Sequence, residues 1–292
     1  MAARGKIRIG ISGWTYKGWR GIFYPEDLAH KRELAYAAQA FPSVEINGTF
    51  YSLQRPQTFA RWRDETPEDF VFAIKGSRYI THMRQLREVE TPLANFLASG
   101  LLRLGPKLGP ILWQFPARMK FDPDRFARFL DLLPRTTEQA AKLARKHDAR
   151  LNGRASMKNE TDLPLRHAFE IRSESFCTQE FVDLLKAHNA ALVVADTVEW
   201  PLVMDMTADF VYCRLHGSQE LYTSGYDDKA LDIWAKRVDA WARGKEPGDA
   251  HRIGGPAPKA PKGRDIFVYF DNDVKVRAPF DAQGLIKRLE TD

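Results

Sequence analysis

Cysteine is nearly missing from this chain: only Cys177 and Cys213 occur in 292 residues. Two cysteines cannot make a disulfide framework, and their spacing does not suit a zinc site, so both are expected to pack as small hydrophobes. Long apolar runs are missing too. No segment reaches the roughly eighteen residues of a membrane helix, and the opening MAARGKIRIGIS has no apolar leader core. The expectation is a cytoplasmic protein with no membrane partner. Histidine is sparse at 7 copies, and the His-Glu-x-x-His pattern of zinc proteases does not occur. A Gly-rich phosphate turn is also wanting. Gly10-Ile11-Ser12-Gly13-Trp14 ends the first strand-like run, and its bulky members block the close backbone approach that a doubly wound nucleotide fold requires.

What is present is an ordinary globular composition with a basic tilt. Hydrophobic residues make up 44% and charged residues 28%, enough apolar side chain for a sizeable core. The formal charge of +6 favours an anionic partner, a phosphate ester or a nucleic acid. Part of that excess falls in stretches that read as solvated loop, 142–158 and 259–264. The 7 Trp and 18 Phe supply faces for packing, or for stacking on sugars and bases.

Eight short β-branched or aromatic runs recur, at 7–11, 44–46, 71–74, 110–113, 168–171, 192–195, 210–215 and 266–270. Continuous apolar runs of this length fit strands buried on both faces, as in a parallel sheet. Helical patterns lie between them, at 31–41, 56–65, 91–104, 125–133, 178–188, 229–243 and 281–289. The segment 198–207 is poorly helical. Eight strands alternating with helices predict an α/β fold, a single (β/α)₈ barrel over 1–292. Two insertions break the rhythm: a charged stretch at 136–166, whose part 138–145 is helix-like, and a Gly/Pro/Lys-rich loop at 247–263 that reads as mobile.

In such a barrel the working residues sit at the C-terminal strand ends. The first strand ends in Ser12 and Trp14, the second in Glu45 and Asn47, the third in Lys75, and the fourth in Trp113 and Gln114. Glu170 and Arg172 end the fifth, Asp196 the sixth, Arg214 and His216 the seventh, and Asp271, Asn272 and Asp273 the eighth. Residues two apart project to one side of a strand. Charges of both signs therefore converge on the mouth, as a self-neutralising network or as an acid/base and anion-binding site.

Several long motifs resemble the YecE-like family, domain of unknown function seventy-two. They are GISGWTYKGWRGIFYP (10–25), VEINGTFYSL (44–53), FAIKGSRYITHMRQL (72–86), GPILWQFP (109–116), FEIRSESF (169–176), VVADT (193–197), YCRLHG (212–217) and VYFDND (268–273). They run in order through nearly the whole chain, sparing mainly the two insertions. Ala117 stands where a second Pro is common, which bears on local loop shape only. The resemblance implies a barrel similar to those of xylose isomerases and endonuclease IV, and no particular reaction. It adds Thr49, Tyr51, Arg78 and His82 to the site residues, and it covers Glu45, Asn47, Lys75, Gln114, Glu170, Arg172, Asp196, Arg214, His216 and Asn272.

The expected function is an enzyme acting on an anionic or polyhydroxylated molecule, a sugar phosphate or a nucleic acid. Glu45 and Glu170 are the expected acid and base, with His216 or His82 shuttling a proton. Lys75, Arg172 and Arg214 would hold an anion, and Trp14, Tyr51 and Trp113 would stack on a ring. Asn47, Arg78, Gln114, Asp196 and Asn272 complete the expected substrate contacts. No cofactor is expected. A divalent metal is the less favoured variant, since His216 is the only histidine at a strand end and each carboxylate has a cationic neighbour. The alternative is a non-catalytic nucleic-acid-binding protein, using Arg55, Arg61, Arg63, Arg78, Arg84 and Arg87. No feature of the sequence sets an oligomeric state.

Overall fold

The computed structural model describes residues 4–217 and 219–290, so the extreme ends of the expected 1–292 domain lie outside the described residues. In chain order the strands are β1 (Ile7–Ser12), β2 (Ser43–Ile46), β3 (Val71–Lys75), β4 (Leu108–Gln114), β5 (His167–Glu170), β6 (Ala191–Leu192), β7 (Val194–Asp196), β8 (Phe210–Leu215) and β9 (Asp265–Phe270). All pair in parallel, in the order β6-β5-β4-β3-β2-β1-β9-β8-β7. The two ends of that order belong to one segment. The expected sixth strand divides at Val193, and its first half pairs with β5 while its second half pairs with β8. The sheet thereby closes on itself as an eight-position barrel in which one position hands over from one neighbour to the other.

Helices α1 (Glu33–Ala40), α2 (Gly48–Tyr51), α3 (Pro56–Asp64), α4 (Glu90–Ala98), α5 (Pro123–Leu132), α6 (Thr137–Ala144), α7 (Gln179–Ala187), α8 (Asp228–Ala242) and α9 (Arg277–Glu290) join the strands. Local chemistry sets several starts. Asp122 caps α5 through its carboxylate and the Arg125 N–H, with Pro123 in the first turn. Thr178 and Asp227 cap α7 and α8 in the same way. The helix expected over 91–104 stops earlier, because Gly100 takes a left-handed φ of 109° after Ala98 and a 3₁₀ stretch, Leu101–Lys107, follows.

Strand alternation divides the core in two. Ile9, Ile11, Val44, Ile74, Ile111, Trp113, Phe169, Val194, Cys213 and Val268 face the helices. Val71, Ala73, Leu112, Ala168, Ala191, Val193, Ala195, Phe210, Tyr212, Phe267 and Tyr269 fill the interior. Small residues on β3, β5, β6 and β7 oppose rings on β8 and β9, which lets one layer interdigitate without voids. Between β1 and β2 there is no room for a side chain at Gly10, where a Cβ would lie 1.9 Å from the Ser43 carbonyl oxygen.

Neither insertion reaches the mouth. In the first, α6 packs on α4, and Asp162 accepts the Glu138 N–H. The loop 247–263 is held rather than free: both Asp205 carboxylate oxygens accept N–H groups, from Ile253 and Gly254, at 2.7 and 2.8 Å. It joins α8 to β9, and so belongs to the end of the barrel opposite the C-terminal strand ends. Among the described residues no helix is long and apolar enough to cross a membrane. The Gly10 contact yields a test: Gly10→Ala should lower the unfolding free energy by about 1–3 kcal/mol, the cost of overpacking a closed core, read as a lower urea midpoint at unchanged slope.

Candidate functional site

Interior phase decides which strand-end residues enter the mouth. Lys75 continues the inward series Val71 and Ala73, Gln114 follows Leu112, and Glu170 follows Ala168. Arg214 and His216 continue from Phe210 and Tyr212, and Asp271 and Asp273 continue from Phe267 and Tyr269. Among them Arg214 holds the centre and is fully buried. Its Nε and one terminal nitrogen reach the two Glu45 oxygens at 3.0 and 2.9 Å. The same terminal nitrogen meets Asp271 Oδ2 at 2.8 Å, and the other meets Glu170 Oε2 at 2.5 Å. One guanidinium thus ties together β2, β5, β8 and the end of β9.

Each carboxylate has further donors. Tyr212 donates to Glu45 Oε2 at 2.6 Å, and Ser12 donates to Glu45 Oε1. Gln114 and Arg172 donate to Glu170 Oε1 at 2.7 and 2.9 Å. His216 Nδ1 lies 3.1 Å from Asp271 Oδ2, within ion-pair range but out of line for a hydrogen bond. Burial alone would raise the Glu170 carboxyl, but Arg214 and Arg172 outweigh it and hold the group well below the usual range. For Asp271 burial again pushes up, and Arg214 again wins. Arg214 is driven the other way: desolvation lowers it, and Asp271, Glu170 and Glu45 raise it further.

Above this floor opens a cavity of about 920 Å³. Trp14, Tyr16, Asn47, Phe50, Tyr51, Trp62, Lys75, Arg78, His82, Gln114, Arg172, Tyr222, Asp271 and Asp273 line it. Lys75 is buried, with its ammonium 4.6 Å from the Phe50 ring centre. Among the described residues no carboxylate lies within 4.0 Å of the charged nitrogens of Lys75 or Arg78. Desolvation, helped by Arg214, lowers Lys75 to about 8. Arg172 stacks on Trp200, its guanidinium carbon 3.6 Å from the ring centre, and donates to Tyr222 at 3.3 Å. Asp273 is raised to about 6 by burial and by the charge of Asp271. His82 sits on a π-helical turn, Tyr79–Met83, a distortion frequent at functional sites.

Of the expected site residues, Trp14, Asn47, Tyr51, Lys75, Arg78, His82, Gln114 and Arg172 therefore meet around one cavity. Five placements differ from the expectations. Glu45, Glu170, Arg214 and His216 are fully buried under the floor, where their mutual pairing seals them from a ligand. Asp196 is out of phase with Ala191, Val193 and Ala195, so it turns outward and accepts the Trp234 indole N–H at 3.1 Å. Asn272 likewise points out and donates to Asp281 of α9 at 2.8 Å. His82 falls to about 4 through burial and the nearby Arg172 and Lys75, which keeps it neutral rather than titrating near pH 7. Trp113 faces the helices and packs on Phe129, not on a ligand.

Sequence reasoning placed Asp271 and Asp273 at a strand end but counted only Asn272 among the substrate contacts, although the alternation through Phe267 and Tyr269 turns Asp271 and Asp273 inward. It also missed Tyr222 and Trp200, which come from irregular loops with no periodicity to read. Among the described residues no group of three or more His, Cys, Asp or Glu converges to hold a metal. The guanidinium of Arg214 occupies the point between Glu45, Glu170 and Asp271.

A (β/α) barrel with this floor and these motifs defines the class of protein. A family model, "Protein of unknown function DUF72", matches residues 8–292, and the chain belongs to that family. The UPF0759 protein YecE of Escherichia coli is 33% identical over 133 residues, 44% of this chain and 44% of its own length. YunF of Bacillus subtilis is 31% identical over 121 residues, 38% of this chain and 40% of its own. These alignments span less than half of each relative. Among solved structures, a DUF72 family protein of Thermotoga maritima superposes with a TM-score of 0.72 at 23% identity, covering 98% of this chain and 99% of that one. Another from Enterococcus faecalis gives 0.65 at 17% identity, covering 99% of each. Both likenesses speak to the fold.

Removing the central cation leaves three buried carboxylates with one partner fewer. Arg214→Met should therefore cost about 3–5 kcal/mol of stability, measured by chemical unfolding. Acid should act on the same cluster. The Asp271 and Glu170 carboxyls are depressed in the folded state, so their stabilisation is present above the unfolded pKa of about 4 and is lost as pH falls below it. Asp271→Asn should flatten that acid limb, read from urea midpoints taken at a series of pH values.

Proposed function

We propose that the barrel mouth is the active site of an enzyme acting on a small, hydroxyl-rich molecule that carries a phosphate or similar anion. The observation that carries this reading is the cationic wall. Lys75 and Arg78 face a cavity of ligand size with no carboxylate within ion-pair distance among the described residues. A buried ammonium that feels Asp271, Glu45 and Glu170 only from beyond pairing distance is costly, and a bound anion relieves that cost. Arg172 gives its Nε to Glu170 and one terminal nitrogen to Tyr222 and stacks on Trp200, which aims its other terminal nitrogen for an anion. Asn47 and Gln114 offer polar contacts to hydroxyls, and Trp14 and Tyr51 offer ring faces.

The acid–base role falls to Asp273 rather than to Glu45 or Glu170. It lines the cavity, and its carboxyl near 6 exchanges a proton close to physiological pH. Glu45 and Glu170 act as positioning residues through Arg214 and Arg172. Nucleic acid is the competing anion, because Arg78 and Arg118 lie near His82 on the basic side of the opening.

Titration calorimetry with inorganic phosphate and a simple sugar phosphate tests the reading. One saturable site is expected. Arg78→Met should weaken it by about tenfold or more, the loss of one charge-assisted contact of about 1.5–3 kcal/mol. Affinity should also fall as pH rises through about 8, where Lys75 loses its proton. No binding of either compound, together with steeply salt-dependent binding of a single-stranded oligonucleotide, would replace this reading with the nucleic-acid one.

A further inference from the structure

We propose that Lys75 is an imine-forming residue, whose amine condenses with the carbonyl of a small phosphorylated aldehyde or ketone held in this cavity. The inference deepens the reading above and rests on it for the phosphate. Arg78 and Arg172 hold the anion, which leaves the Lys75 nitrogen to face the rest of the ligand.

The geometry separates Lys75 from the other lysines. Only Lys75 and Lys107 are buried among the described residues. The Lys107 ammonium is saturated: it donates to the carbonyls of Arg63 and Thr66 and to the Thr66 hydroxyl, at 2.5 to 3.2 Å. Lys75 has no such set. Its nitrogen lies against the face of Phe50 and opens into the cavity, at the end of β3. The strand end is rigid, since the next residue, Gly76, runs so close to Trp113 that a Cβ would come within 2.4 Å of the indole. The face of Phe50 and the Arg214 charge beneath outweigh the pull of Asp271, Glu45 and Glu170, and a desolvated lysine beside another cation is the setting of an amine nucleophile. Lowered to about 8, it holds a neutral fraction on the order of a hundredfold larger near pH 7 than an exposed lysine does.

The step balances within the site. The neutral amine adds to the carbonyl carbon, a C–N bond forms, and the C=O π bond opens. One amine proton passes to the oxygen, giving a carbinolamine. The C–O bond then breaks as the carboxylic acid of Asp273, which lines the same cavity, protonates the departing oxygen. Water leaves, and a protonated imine and the Asp273 carboxylate remain. No oxidant or metal is required.

Borohydride trapping on the full chain tests this. The protein is incubated with glycolaldehyde phosphate or dihydroxyacetone phosphate, reduced with sodium borohydride, and mapped by peptide mass spectrometry. One adduct is expected, on Lys75, at least about tenfold faster than on any surface lysine. Excess inorganic phosphate should suppress it, and its rate should be near level between about pH 6 and 8 and fall on either side, as an amine near 8 and an acid near 6 require. Lys75→Arg should give no adduct while still binding phosphate by calorimetry, and Lys107→Arg should label like the unaltered protein. Phosphate binding without an adduct on Lys75 overturns the imine and spares the anion site. Labelling of surface lysines as fast as Lys75 overturns it as well. Absence of both phosphate binding and adduct overturns the two readings together.

Discussion

The buried guanidinium of Arg214 is the interaction on which the mouth of this barrel depends. It meets carboxylates from β2, from β5 and from the end of β9, at the tip of β8. Each carboxylate would be costly in that place without it, and the guanidinium would be costly without them. The group cannot escape by neutralising, because the surrounding negative charge raises its proton affinity further. Such a cluster contributes little net stability against an apolar core. What it provides is position: four strand ends are fixed relative to one another by directional, charged hydrogen bonds.

That fixed floor orders what lies above it. Arg172 is aimed by Glu170 and by the face of Trp200, so its donors reach the cavity in one orientation. Three carboxylates contact two guanidiniums, Arg214 and Arg172, and the remaining negative charge is felt by Lys75 from beyond pairing distance. Lys75 is therefore held near the charge it balances without being paired to it. The same crowding separates two carboxyls that stand two residues apart. Asp271, bound to Arg214, is depressed, whereas Asp273, farther out and facing Asp271, is raised. Paired groups pushed in opposite directions are the usual basis for dividing acid–base roles in one site.

Membership of the DUF72 family accounts for the barrel. It does not supply a reaction, since this fold hosts many chemistries. What the mouth can do chemically is set by its charges and cavity walls. Here those walls differ by side: lysine and arginine on β3, its following turn and the β5 end, and carboxylates on the β9 end.

Strand and helix content and the parallel barrel were legible in the sequence alone, because apolar runs and their spacing are local properties. So was the clustering of Glu45, Lys75, Glu170, Arg172 and Arg214 at strand ends. Tertiary structure decided which of these line the cavity. Depth along a strand and phase at its last residue are set by closure: a residue ending a run can go inward, like Lys75, or outward, like Asp196. The break at Val193 that closes the barrel leaves no trace in hydrophobicity, since Val193 is as apolar as its neighbours. Trp200 and Tyr222 come to the mouth from loops, where no period exists to read. Above all, which cation neutralises the carboxylates and which remains available is a question of distances across the barrel, and no order of residues along the chain contains them.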